Sequence, residues 1–227
     1  SKITPETGGD TGSVTMTIHG CQFQEGATVR LTRTDQPDIE ADPVTVSDGG
    51  ESISAAFDLT GKELGVWDVV VTNPDDSSVV QKNAFTIEEG QEPKVWVDII
   101  GRNTIRRNTW TTFYIVCGNS GDVDAIGVPL VITVPEEDDV ELKFELELTT
   151  LELKNGETVI EKETIPPVVQ VENETTGEKV NRIPVLVPKI PPNTTVTYPI
   201  SIKHTTGGSI KIGAHIGKPL FQISTMA

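Results

Sequence analysis

The chain is short of cysteine, of aromatics, of positive charge and of long apolar runs, and each shortage removes a class of protein. Two cysteines, Cys21 and Cys117, cannot build a disulfide framework. They read as two separate thiols packed like small hydrophobes, with a single bridge between the two halves as the alternative. Aromatics are 5% of the residues, so large stacking platforms are scarce. No stretch approaches the ~20 apolar residues that cross a bilayer, so membrane insertion is not expected. No signal peptide is visible; with Ser1 first and Ala227 last, the sequence reads as a piece of a longer chain, and the missing signal says little about export. Basic residues number 18 against 34 acidic, a net charge of −16. A chain this acidic repels phosphate backbones, so nucleic acid is not an expected partner.

Amphipathic helical stripes are also missing. What is present is period-2 alternation. Val14, Met16 and Ile18 alternate with threonines, and Ala27, Val29 and Leu31 with Thr28 and Arg30. Ile53, Ala55 and Phe57 repeat the pattern, and Val140, Leu142, Phe144, Leu146 and Leu148 alternate with Glu and Lys in one long run. Gly, Pro, Asn and Asp punctuate these runs at short intervals, as in an all-β sandwich. In the run 65–76, Trp67, Val69 and Val71 share one face and Val66, Asp68, Val70 and Thr72 the other, which predicts a central strand. Asn73-Pro74-Asp75-Asp76 then has turn chemistry. Trp67 is therefore expected in the core, and the two aspartates in a solvated turn.

Residues 88–93, Glu-Glu-Gly-Gln-Glu-Pro, form a short polar joint between strand-like segments. It divides the chain into a domain at 1–89 and another at 94–227, joined too tightly for free tumbling. The predicted architecture is all-β, two tandem immunoglobulin-like β-sandwiches with a short linker. Asn155-Gly156 marks a hairpin turn in the second.

The first segment resembles an IPT/TIG domain. The matching pieces are Ile3-Thr4-Pro5 with Gly8-Gly9, residues 14–20, Phe23 with Gly26-Ala27-Thr28-Val29, Phe57-Asp58-Leu59, and residues 65–75. They cover nearly all of residues 1–88; Cys21 and Asp76 depart from the family pattern in a loop and a turn. The second segment is similar to bacterial surface modules of the CARDB (cell-adhesion-related) type, through residues 95–100, residues 114–121, residues 124–130 and the turn Ile190-Pro191-Pro192-Asn193, where Asn193 replaces the usual Gly. The resemblances imply immunoglobulin-like folds in a secreted or cell-surface bacterial protein. They imply partners among neighbouring domains of the parent chain, other surface proteins or polysaccharide, but no particular activity.

Motifs for catalysis are not found. His19, His204 and His215 lack metal-like spacing, and no nucleophile elbow, phosphate loop or dinucleotide fingerprint occurs, so no catalytic residue is named. Two ligand readings remain. Calcium could be held by hard oxygens at Asp122 and Asp124, by the run 136–139, or by Asp75 and Asp76; solvated turns are the alternative, and no other cofactor is implied. Sugar or protein binding would use Trp96, Trp110 and Tyr114. Trp110 shares a face with Tyr114 and Val116, opposite Phe113, Ile115 and Cys117, so one apolar face is expected to meet a neighbouring domain or solvent. The function expected is a non-catalytic spacer and interaction module, with a carbohydrate- or protein-binding module as the alternative.

Overall fold

The computed structural model describes residues 2–102, 104–135, 139–144, 148–154, 157–163, 169–172, 179–208 and 210–220. Among them all regular structure is strand, and no helix is long and apolar enough to cross a membrane.

The first half supplies β1 (Lys2–Thr4), β2 (Thr7–Gly9), β3 (Ser13–His19), β4 (Thr28–Thr32), β5 (Ile39–Glu40), β6 (Val44–Val46), β7 (Ser52–Asp58), β8 (Gly65–Thr72) and β9 (Ser78–Glu88). They form two sheets, β1-β3-β7-β6 and β2-β9-β8-β4-β5. The first strand segment is split between them: β1 pairs with β3, and β2 crosses over to pair in parallel with β9. This is the immunoglobulin-like sandwich, reached because the alternating residues of each sheet face one core. Val14, Met16 and Ile18 of β3 and Ile53, Ala55 and Phe57 of β7 all point inward and are buried. Trp67 joins them at 2% exposure, and its indole Nε1 donates to the Glu63 carbonyl at 3.2 Å, which satisfies its only polar atom. β8 lies between β9 and β4, the central position that its two apolar faces predict. Its outer face is only half covered, with Val70 buried and Val66 exposed. The run stops where Asp76 takes a φ of 66° and its amide donates to the Asn73 carbonyl at 3.0 Å.

The second half supplies β10 (Val95–Ile100), β11 (Thr111–Asn119), β12 (Ala125–Pro135), β13 (Val140–Phe144), β14 (Leu148–Lys154), β15 (Glu157–Glu163), β16 (Val169–Glu172), β17 (Lys179–Ile190), β18 (Thr194–His204) and β19 (Gly213–Ile216). The sheets are β10-β11-β18-β13 and β16-β17-β12-β19, with β14 and β15 forming a separate hairpin. Between the sheets lies a second apolar cluster, including Ile115, Leu130, Ile132, Ile183, Val187 and Ile202. The long alternating run from Val140 is not one strand. Residues 140–144 pair with β18, whereas Leu148 opens the β14–β15 hairpin. The period of two runs unbroken from Val140 to Leu148 and changes phase only at Thr149-Thr150, so alternation over 140–148 does not reveal the change of partner. The Asn155-Gly156 turn and the acidic residues 136–138 lie outside the described residues. At the β17–β18 connection Asn193 adopts φ 54°, the left-handed conformation expected of a glycine substitute there.

Candidate functional site

Two places combine unusual chemistry with position: the joint between the sandwiches and the outer face of the sheet β10-β11-β18-β13.

The joint is built by Asn119, buried at 1% exposure at the end of β11. Its amide nitrogen donates to the carbonyls of Val123 (2.8 Å) and Ile190 (3.0 Å). Its amide oxygen accepts from the backbone of Gly121 (3.0 Å) and of Lys94 in the linker (3.1 Å). One side chain thus fixes the loop 120–124 and the linker together. The loop docks onto β3. Because β1 leaves β3 after Thr4, the edge of β3 at Ser13 and Thr15 has no strand beside it. Asp124 fills that place: its amide donates to the Ser13 carbonyl at 2.8 Å. Its Oδ1 accepts from the Thr15 amide at 2.9 Å, and its Oδ2 from the Thr15 hydroxyl at 2.6 Å. Lys189 of β17 donates to the same Thr15 hydroxyl oxygen at 2.8 Å. The group is a substitute for a missing strand, satisfying backbone atoms that burial would otherwise leave unpaired. Burial pushes the Asp124 carboxyl above its ordinary range, opposed by the Thr15 hydrogen bonds and by the Lys189 charge.

Val123 inserts into the core of the first sandwich. The Gly9 amide donates to the Asp122 carbonyl at 2.9 Å, and both Asp122 carboxylate oxygens accept from the Gln91 amide at 3.0 and 3.1 Å. Gly9 permits this approach, since a Cβ there would lie 2.6 Å from the Gly90 Cα. Asp122 and Asp124, the residues of the calcium expectation, therefore face different partners. Asp124 has both oxygens engaged by Thr15, and among the described residues no three potential metal-ligating side chains converge. Asp75 is likewise engaged, with Oδ1 accepting from the Ser77 amide and hydroxyl and Oδ2 from Gln24 Nε2 at 2.9 Å. The Ser77 bonds hold its carboxyl below the usual range.

On the outer sheet face, Trp96, Asp98 and Ile100 of β10 lie opposite Gly118, Val116 and Tyr114 of β11. Trp96 is 40%, Ile100 56% and Tyr114 46% exposed, while Phe113, Ile115 and Cys117 point into the core. The face division read from the sequence is the one observed. The Trp96 indole lies flat on Gly118, where a Cβ would fall 2.3 Å from the ring. Trp110, just before β11, is half-buried beneath two ammonium groups, Lys143 Nζ at 4.3 Å and Lys203 Nζ at 5.3 Å from its ring centroid. Neither lysine is near it in sequence, so nothing local signals the arrangement.

His19, His204 and His215 sit on three different sheets. The Nδ1 of His204 accepts from the amides of Thr206 (3.3 Å) and Gly207 (3.1 Å), and the Thr206 hydroxyl bonds Asp139 Oδ2 at 2.7 Å. The same hydroxyl lies 2.9 Å from His204 Nδ1, so hydroxyl, imidazole and carboxylate meet at a turn whose two amides also converge on that ring nitrogen. Both cysteines are free, Cys21 exposed and Cys117 buried, with burial pushing the Cys117 thiol up to about 11.

No family model matches the chain, and no curated protein matches it. Among solved structures, a crystal structure described as domains CD of another protein aligns with 95% of this chain and 98% of its own, at 12% identity and a TM-score of 0.28. A likeness that low bears on neither fold nor function.

Proposed function

We propose that the chain is a non-catalytic spacer and interaction segment of a larger secreted or cell-surface bacterial protein, an IPT/TIG-like sandwich followed by a CARDB-like one. The observation that carries this reading is the joint. A flexible tether would need only a polar linker; here the second sandwich lends Val123 to the first core and Asp124 to the open edge of β3. Such a joint sets the angle between modules, which is what a spacer must do to hold its ends apart. The acidic surface suits modules strung together without self-association. A spin label on exposed Cys21 and a second on Leu186→Cys, an exposed position on β17, would report the distance between sandwiches. A single narrow distance distribution supports the reading; a broad one sinks it.

The exposed face of β10 and β11 favours a second reading, carbohydrate or protein-ligand binding. Trp96, Ile100 and Tyr114 together make an apolar surface that a lone spacer does not need. Loss of glycan or protein binding on Trp96→Ala, with the fold intact, is the expected sign.

A further inference from the structure

Between Asp98 and Asp122 the chain carries no acidic residue, yet it carries Arg102, Arg106 and Arg107. In a protein of net charge −16 this is a local reversal of sign. The fold closes the segment around an open cleft of about 360 Å³, lined by Ile100, Arg102, Arg106, Trp110 and Tyr114 among others. That is within the size range of small-ligand sites, roughly 300–1,000 Å³.

The cations at this end are not equivalent. Lys203 is matched by Glu141 at 2.6 Å, and Arg107 Nε donates to the Thr205 carbonyl at 3.0 Å. Arg102, Arg106 and Lys143 have no carboxylate within salt-bridge distance among the described residues. A guanidinium takes a carboxylate or sulfate through paired N–H bonds, and two of them in one cleft select for negative charge. The rest of the lining is of another kind. Tyr114 offers ring surface, Trp110 lies under the Lys143 and Lys203 ammonium groups, and Thr104, Thr109, Thr111 and Thr112 offer hydroxyls that both donate and accept. An acidic peptide would satisfy the arginines, and its backbone the hydroxyls, but it brings no apolar sugar face to the aromatic ring. A nucleic acid would bring a row of phosphates against an acidic protein. A sugar chain with acidic substituents uses all three features: charge for the arginines, an apolar ring face for Tyr114, hydroxyls for the threonines.

We propose that this cleft binds an anionic polysaccharide, with its carboxylate or sulfate groups on Arg102 and Arg106 and a sugar ring against Tyr114. The proposal rests on the ligand-binding reading and narrows it. It also separates two ends of one face: Trp96 lies four residues along β10 from Ile100, about 13 Å away, and belongs to the exposed apolar surface rather than to the cleft.

The test is calorimetry of the whole 227-residue chain against four size-matched probes: an oligogalacturonate, its methyl ester, a sulfated galactan oligosaccharide, and single-stranded DNA. The expected result is binding of the galacturonate, the sulfated probe or both, and which of them binds identifies the acid. The ester and the DNA should bind at least about tenfold more weakly. The double substitution Arg102→Gln with Arg106→Gln should cost at least about tenfold in affinity while the melting curve stays unchanged. Binding of the ester as tightly as the acid overturns the proposal and leaves the broader ligand-binding reading standing. Failure of every glycan to bind overturns the proposal and the sugar branch of that reading with it. Equal binding by the double variant, or DNA bound as tightly as the glycan, also overturns it.

Discussion

Replacing Asp124 by alanine removes the acceptor on which the joint converges. Two hydrogen bonds to a charged group disappear, each worth about 1.5–3 kcal/mol, and the Thr15 amide, buried with its residue at 5% exposure, is left without a partner. Against this, removing a carboxylate that burial disfavours returns part of the loss. The balance is a net cost of about 2–3 kcal/mol, or roughly 30- to 150-fold in the ratio of docked to undocked sandwiches at 1.4 kcal/mol per tenfold. Because the loop 120–124 bridges the two cores, the cost should fall on their coupling. Urea unfolding read by tryptophan fluorescence distinguishes them, since Trp67 reports the first core and Trp96 and Trp110 the second. A Trp67→Phe background isolates the second signal. In the parent protein the two transitions should lie close together, and in Asp124→Ala they should separate, the first sandwich unfolding earlier. Coincident transitions within about 0.5 kcal/mol of the parent would refute the account of the joint.

Further outcomes follow from other parts of the structure. The raised folded pKa of Asp124 means the native state holds its proton more tightly than the unfolded chain. Its contribution therefore favours folding more as pH falls from neutral towards the ordinary carboxyl value of 3.8, so the melting-temperature gap between parent and Asp124→Asn should change over that window, the parent gaining on the variant at lower pH. An Ellman titration of the native protein should find one fast thiol, Cys21, with Cys117 reacting only on unfolding. Gly118→Val should push the Trp96 indole off the sheet, shift its emission to the red, and destabilise by about 1–3 kcal/mol through overpacking. Phe57→Ala should cost about 3–5 kcal/mol in the first sandwich, seen as a lowered urea midpoint.

The fold was legible where its cause is local. Alternation placed Trp67 inward, divided β11 into a core face and an outer face, and marked β3, β4 and β7, because a strand's side chains obey a period of two whatever their partners. Turn chemistry located the bend at Asn73 and the positive φ at Asn193. The joint was illegible because its partners are remote: Thr15 and Asp124 are 109 residues apart, and Thr15 and Lys189 are 174 apart. Read alone, Asp122 and Asp124 in a Gly-Asp-Val-Asp loop suggest solvent or a cation; only the vacated edge of β3 makes them a structural plug. The same holds for Trp110, flagged by the apolar face it shares with Tyr114 but not by the lysines above it, which arrive from β18 and, through Lys143, from β13. The split of the run after Val140 between two partners was hidden for the opposite reason: its alternation is continuous where its pairing is not.

The parallel pairing of β2 with β9 has a mechanical meaning. These segments lie side by side near the two ends of the first sandwich, pointing the same way. Tension drawn along the chain through that sandwich would slide one past the other and load their cross-links simultaneously, rather than peeling them one at a time. An element wired in this way yields late under traction, and the loop planted beside β3 would be the first contact to feel the strain.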